Sequence, residues 1–117
     1  MARYKHLPIY KATYDLLQKV TFYTRNFPRD FKYTLGDRLR EEVINLVIYV
    51  YRANSSSNKL EHLSPLQERL LVVDLMLRLC QDLKLLDIKA YAVCVELTNS
   101  LQKQANSWAK SQQKQAD

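Results

Sequence analysis

Glycine occurs once in these 117 residues and proline three times, so the chain has few places to turn. A sheet protein of this length needs many Gly- and Asn-rich turns, and a phosphate-cradling loop needs several glycines. Zinc spacing is missing as well: Cys80 and Cys94 lie fourteen residues apart, and His6 and His62 are isolated. Both histidines fall near helix ends or loops, where bystanders are the common case. A carboxylate-bridged di-iron bundle needs Glu-x-x-His motifs, and the chain has none. Glu41 and Glu42 are adjacent, so on a helix they diverge and make a poor shared carboxylate site. No nucleophile, base and oxyanion donor form a set. The expectation is a protein that is not an enzyme and takes no metal and no cofactor.

Long hydrophobic runs are absent too. Arg69, Asp74 and Arg78 interrupt the longest apolar stretch, and Met1 to Tyr10 contains no apolar signal-peptide core. A membrane association is therefore not expected. The two cysteines sit in apolar, helix-like stretches and read as buried free thiols, which fits a reducing, cytoplasmic compartment.

What remains is enough to build one domain over 1–117. Apolar residues make up 47% of the chain, which supports a sizeable core. Leu-, Gln-, Lys- and Glu-containing stretches favour helices, and four are expected, over about 8–27, 34–54, 60–84 and 87–111. The first carries Pro8 at its start, a face of Tyr10, Thr13, Leu17, Val20, Thr24 and Phe27, and a stop at Pro28. Thr34 is the N-cap candidate of the second, with a start near Asp30 as the alternative. Its stripe is Leu35, Leu39, Val43, Leu46 and Val50. Gly36 falls in its first turn, where the missing side chain lets another backbone come close.

Asn54 to Asn58 reads as a polar loop. Ser64-Pro65-Leu66-Gln67 looks like a capping box for the third helix, although a start near Lys59 fits equally. From Leu70 to Cys80 the apolar residues exceed one stripe, so this helix is either central or buried twice. Asp87 caps the fourth helix, whose stripe is Ile88, Tyr91, Val95, Thr98, Leu101, Ala105 and Trp108. The polar tail from Lys110 is expected to fray. Short connections between helices about 30 Å long make an all-α, antiparallel up-down-up-down four-helix bundle the expected fold.

Formal net charge is +6, and all of it sits in the first half. Residues 1–59 hold 11 Lys and Arg against 5 Asp and Glu, whereas residues 60–117 hold 7 of each. Such asymmetry points to an acidic partner, above all nucleic acid. Arg25, Arg29 and Lys32 alternate with Phe27, Phe31 and Tyr33 around the first connection, and Arg38, Arg40 and Arg52 follow. Arginine forks suit phosphate, and aromatic faces stack on unpaired bases. The plainer role for Phe27, Phe31 and Tyr33 is to plug the end of the bundle. Arg38 and Glu42, four apart, are candidates to pair. Tyr49 and Tyr51 point apart on a regular helix, so one of them is an interface candidate. Leu71 and Leu75 belong to the surplus apolar face of the third helix. Arg78, in the same stretch, either pairs with Asp74 or Asp82, snorkels, or sits on a subunit surface.

Leu7-Pro8-Ile9-Tyr10, Tyr14-Asp15-Leu16-Leu17, Phe27-Pro28-Arg29 and Tyr33-Thr34-Leu35-Gly36 together resemble the accessory variability determinant (Avd) proteins of diversity-generating retroelements. These are similar to a wider four-helix family named for intervening sequences in bacterial large-subunit ribosomal RNA. The Phe-Pro-Arg and Tyr-Thr-Leu-Gly blocks are the specific part. The resemblance implies a homopentameric ring of four-helix bundles, a non-enzymatic accessory factor. It implies binding to template RNA, with DNA or an RNA–DNA hybrid as related ligands, and to a reverse transcriptase during mutagenic complementary-DNA synthesis. Within the Phe-Pro-Arg block, Arg29 is expected to face a partner, while Pro28 and Gly36 shape the first connection. The alternative is an oligomeric structural protein of the ribosomal-RNA type with no polymerase partner.

Overall fold

The computed structural model describes residues 7–116, so His6 lies outside the described residues. All its regular structure is helical, with no strand among the described residues. Helix α1 spans Pro8–Thr24. Helix α2 is α-helical over Arg29–Phe31, passes through a π-helical turn over Lys32–Gly36, and resumes over Asp37–Ser55. Helices α3 and α4 span Leu60–Asp82 and Ile88–Ala116. Each helix packs against two neighbours, α1 and α3 both lying between α2 and α4. The result is a four-helix bundle measuring 48 × 20 × 20 Å.

The core follows helical periodicity. Leu16 and Val20 of α1, Leu39, Val43, Leu46 and Val50 of α2, Leu63, Leu66, Leu70, Val73 and Leu77 of α3, and Leu101 and Ala105 of α4 are essentially inaccessible. Thr13, Thr24 and Thr98 are buried too, and each returns its hydroxyl to a carbonyl on its own helix, so none of these three hydroxyls is orphaned. The α4 stripe differs from the expected one. Ala90, Cys94 and Ala109 point inward, while Ile88 is 77% exposed, because the helix begins one residue past its cap with Ile88 turned to solvent.

Several boundaries move, each for a local reason. Helix α1 stops at Thr24, not Phe27: Asn26 and Phe27 donate to the carbonyls of Tyr23 and Thr24 in tight turns, and Phe27 folds back into the core. Helix α2 starts at Arg29 with Pro28 preceding it, so Thr34 is no cap; its hydroxyl donates to the carbonyl of Asp30 at 2.8 Å inside the π turn. Asn54 and Ser55 belong to α2, and Asn54 is buried, which shortens the expected polar loop. Helix α3 starts at Leu60, as the alternative start near Lys59 has it, so Ser64 and Pro65 lie within it and form no capping box. Pro65 leaves the carbonyl of Glu61 without its usual partner, which a first or second turn tolerates better than mid-helix. Lys59 closes the corner before it, its ammonium donating to the carbonyls of Ala53, Asn54 and Ser56 at 3.0–3.1 Å.

Helix α3 ends at Asp82 in a Schellman turn. Leu85 donates to the carbonyl of Cys80 at 2.8 Å and Lys84 to that of Gln81 at 2.9 Å, with Lys84 left-handed at φ 64°. Asp87 then caps α4 as expected, its Oδ1 accepting from the Ala90 amide at 2.7 Å. The polar tail continues the helix, α4 running unbroken through Lys110 to Ala116.

Candidate nucleic-acid interface

In this topology the α1–α2 and α3–α4 connections share one end of the bundle. A groove of about 280 Å³ between them is lined by Tyr23 and Asn26 from the first and by Leu86, Asp87 and Lys89 from the second. Arg25 and Arg29 stand exposed at that corner, and Lys32 half-exposed beside them. Lys84 joins from the second connection and Lys89 from the first turn of α4, both exposed. Neither stands out in the sequence, because both lie in a half that is neutral by count. Antiparallel alternation was the signal that could have found them, since it places connections one and three together.

The π turn decides how the corner is presented. It inserts about one residue into the helical repeat, which rotates everything before it by about 100° relative to a continuous α-helix. Counted from buried Leu39, Arg29 then points away from the core and Phe31 turns toward it, in agreement with their exposed and half-buried states. Gly36 lets the turn lie close against the end of α1. A Cβ there would stand 3.3 Å from the Phe31 carbonyl oxygen and 3.5 Å from both Phe27 and Thr24, so the end of α1 presses directly on this residue.

The other expected cations separate from this group. Arg38 is exposed on α2 and lines a second groove, of about 720 Å³, with Phe31, Tyr33, Leu35, Leu79 and Leu83. Arg40 is engaged within the chain, donating to the Thr24 hydroxyl at 2.7 Å and pairing with Asp37. Arg52 is exposed near the far end of α2, about 35 Å along the helix from Arg29. Glu42 is buried and pairs with Arg69 of α3 at 3.2 Å, in place of the expected Arg38. Arg69 was not foreseen because its partner is remote in sequence.

The aromatic residues divide in the same manner. Phe27 is 5% exposed and plugs the bundle, Phe31 is half-buried, and Tyr33 is 63% exposed. The Lys32 ammonium lies 5.6 Å from the centroid of the Tyr33 ring, a cation–π distance. Phe22, which the sequence did not single out, is 57% exposed on α1 and meets Tyr23 edge-on at 5.6 Å. Burial raises the phenol of Tyr23 above its ordinary value, with Cys94 and Asp87 adding to the effect.

A different surface covers α3. Leu71, Leu75, Leu79 and Leu83 recur every four residues and are all exposed, Leu75 by 69%. Arg78 stands exposed on the same side, and Asp74 takes Gln102 of α4 rather than Arg78. Tyr49 leans on the core, whereas Tyr51 is exposed on α2 with Ile44 and Ile48.

Cys80 and Cys94 are free and buried, and burial pushes both thiols up to about 11, so they stay protonated near neutral pH. Among the described residues no group of His, Cys, Asp or Glu is placed to hold a metal ion, and no helix is long and apolar enough to cross a membrane.

Neither curated proteins nor solved structures gave a match to this chain. The blocks around Pro8, Arg29 and Gly36, however, lie within a match to the model of a single family that covers residues 7–112, and the chain belongs to that family, the bAvd-like proteins.

Proposed function

We propose that this protein is a non-enzymatic accessory factor of a diversity-generating retroelement. In this reading it binds the element's template RNA and its reverse transcriptase in the cytoplasm and supports mutagenic complementary-DNA synthesis. The observation that carries the RNA part is the corner itself: Arg25, Arg29 and Lys32 stand together, and Lys84 and Lys89 reach the same end from the other connection and the first turn of α4. Five cations on one end form an electrostatic footprint for phosphate. Arg38 and Arg52 are exposed on α2 apart from this corner, as separate candidate phosphate contacts. The polymerase supplies the chemistry, and this chain supplies binding.

Self-association belongs to the same proposal, as a homopentameric ring. It draws support from the exposed Leu71, Leu75, Leu79 and Leu83 stripe, which a lone bundle would leave in water. Arg78 and Tyr51 flank the apolar surfaces that such an assembly would cover.

The test is salt-dependent RNA binding by the intact protein and by the triple variant R25A/R29A/K32A. Each phosphate contact on a single strand contributes about 0.7 to the slope of log affinity against log salt, so the slope should fall by about 2. An unchanged slope and affinity would remove this corner from RNA binding. Co-purification with the neighbouring reverse transcriptase, with and without ribonuclease, tests the second partner. RNA binding with no polymerase recovered would favour the ribosomal-RNA type of structural protein instead.

A further inference from the structure

Two large aromatic rings at the basic corner are left in water although the same corner buries others. Phe27 is 5% exposed and Phe31 half-buried, and these two suffice to plug the end of the bundle. Phe22 and Tyr33 are more than half exposed, and Tyr33 stands where the corner meets the groove of Leu79 and Leu83. Both stand next to a cation. Phe22 precedes Arg25 by three residues on α1, so the two side chains are surface neighbours. Tyr33 follows Lys32, whose ammonium lies 5.6 Å from its ring centroid. Arg25 and Arg29 lie between the two rings along the chain as it rounds the turn.

We propose that this corner binds single-stranded nucleic acid, with Phe22 and Tyr33 as stacking positions for unpaired bases. The inference rests on the RNA-binding reading above and adds the class of ligand. A duplex keeps its base faces inside its own stack and offers a basic protein only phosphate and sugar, so exposed rings gain nothing from it. An unpaired strand offers both. Its phosphates meet Arg25, Arg29 and Lys32, and its bases meet the rings, an arrangement that tolerates any sequence because every base has a π-face. The contact of Tyr23 with the edge of Phe22 steadies that ring before a ligand arrives. The π turn does the same for the other side of the corner by directing Arg29 and Tyr33 outward.

The experiment compares the full chain with F22A, Y33A, Y33W and R25A/R29A/K32A on two probes. One is an oligouridine of about a dozen nucleotides, within the range that single-strand binding folds occupy, and the other is a blunt RNA duplex of equal length. Both rings are exposed, so circular dichroism melts should match the parent. Loss of one ring should weaken oligouridine binding about tenfold, the scale of one base–aromatic stack, and leave duplex binding unchanged. Tyr33→Trp should retain the affinity. The cation triple should weaken both probes. If F22A and Y33A change neither probe while the cation triple still weakens both, stacking is overturned and RNA binding stands. If the ring variants weaken both probes equally, the single-strand preference is overturned. If the cation triple changes nothing, the RNA-binding reading of the corner falls first, and this inference with it.

Discussion

The α1–α2 corner and the outer face of α3 are both open to solvent, yet they are made of opposite materials. Cations with two exposed rings present the corner, and it is assembled from two connections far apart in sequence. The α3 face is a ladder of leucines on one helix, spaced by four. A partner held at the corner would be held electrostatically and lost with salt, whereas one held at the ladder would be held hydrophobically and would not. The two surfaces can therefore be disabled one at a time, and a loss in one need not appear in the other.

The largest contrast lies within α3 itself. Leu70 is inaccessible and Leu75, five residues on, is 69% exposed. Leu70→Ala should cost about 2–5 kcal/mol in urea unfolding, through lost burial and a residual cavity. Leu75→Ala should stay within about 0.5 kcal/mol at low protein concentration, where assembly contributes least. A loss at Leu75 comparable to that at Leu70 would mean that the ladder is already covered under those conditions. A solution mass measurement on Leu75→Asp then separates assembly from folding, with a smaller species expected.

A middle-sized effect is expected where the second connection reaches the corner. Asp87→Ala removes the cap on α4 and should cost about 1 kcal/mol in thermal or urea melts. The smallest effect has the opposite sign. Lys84 holds a left-handed conformation that favours glycine, so Lys84→Gly should add about 0.5–1 kcal/mol of stability. The same change removes one corner cation and should weaken RNA binding slightly. Stability rising while affinity falls would show that a basic residue is retained there against the local preference of the backbone. If both rise, Lys84 has no part in the RNA surface.

The sequence made the ladder readable and the corner only half so. Leu71 and Leu75 stand out because one helix carries the whole pattern and its period is fixed. The helix count, the Asp87 cap and the core stripe of α2 were legible for the same reason. Errors gathered where tertiary contacts outrank local signals. Thr34 looks like a cap by residue type, but Pro28 already starts the helix and the π turn absorbs Thr34. For the third helix the start expected near residue 60 is the one taken: Ser64-Pro65 has the pattern of a helix start, but Lys59 ties up the end of α2 and α3 begins beside it. Arg40 looks available on a helical wheel, and only the packing of α1 against α2 shows that it is engaged with Thr24. Lys84 and Lys89 were hidden by charge bookkeeping over halves of the chain, which ignores how an antiparallel fold brings connections together.

An even number of antiparallel helices also settles which pole can be handled. Pro8 and Trp108 meet around one groove, and α4 continues eight residues past Trp108 to Ala116, so both described ends of the chain lie at the pole away from the corner. The full length of α4 is about 43 Å. A dye or a surface tether attached beside Ala116 would therefore hold the molecule with its basic corner directed into solution. The proposed capture of RNA could then be tested on single molecules without the anchor entering the corner.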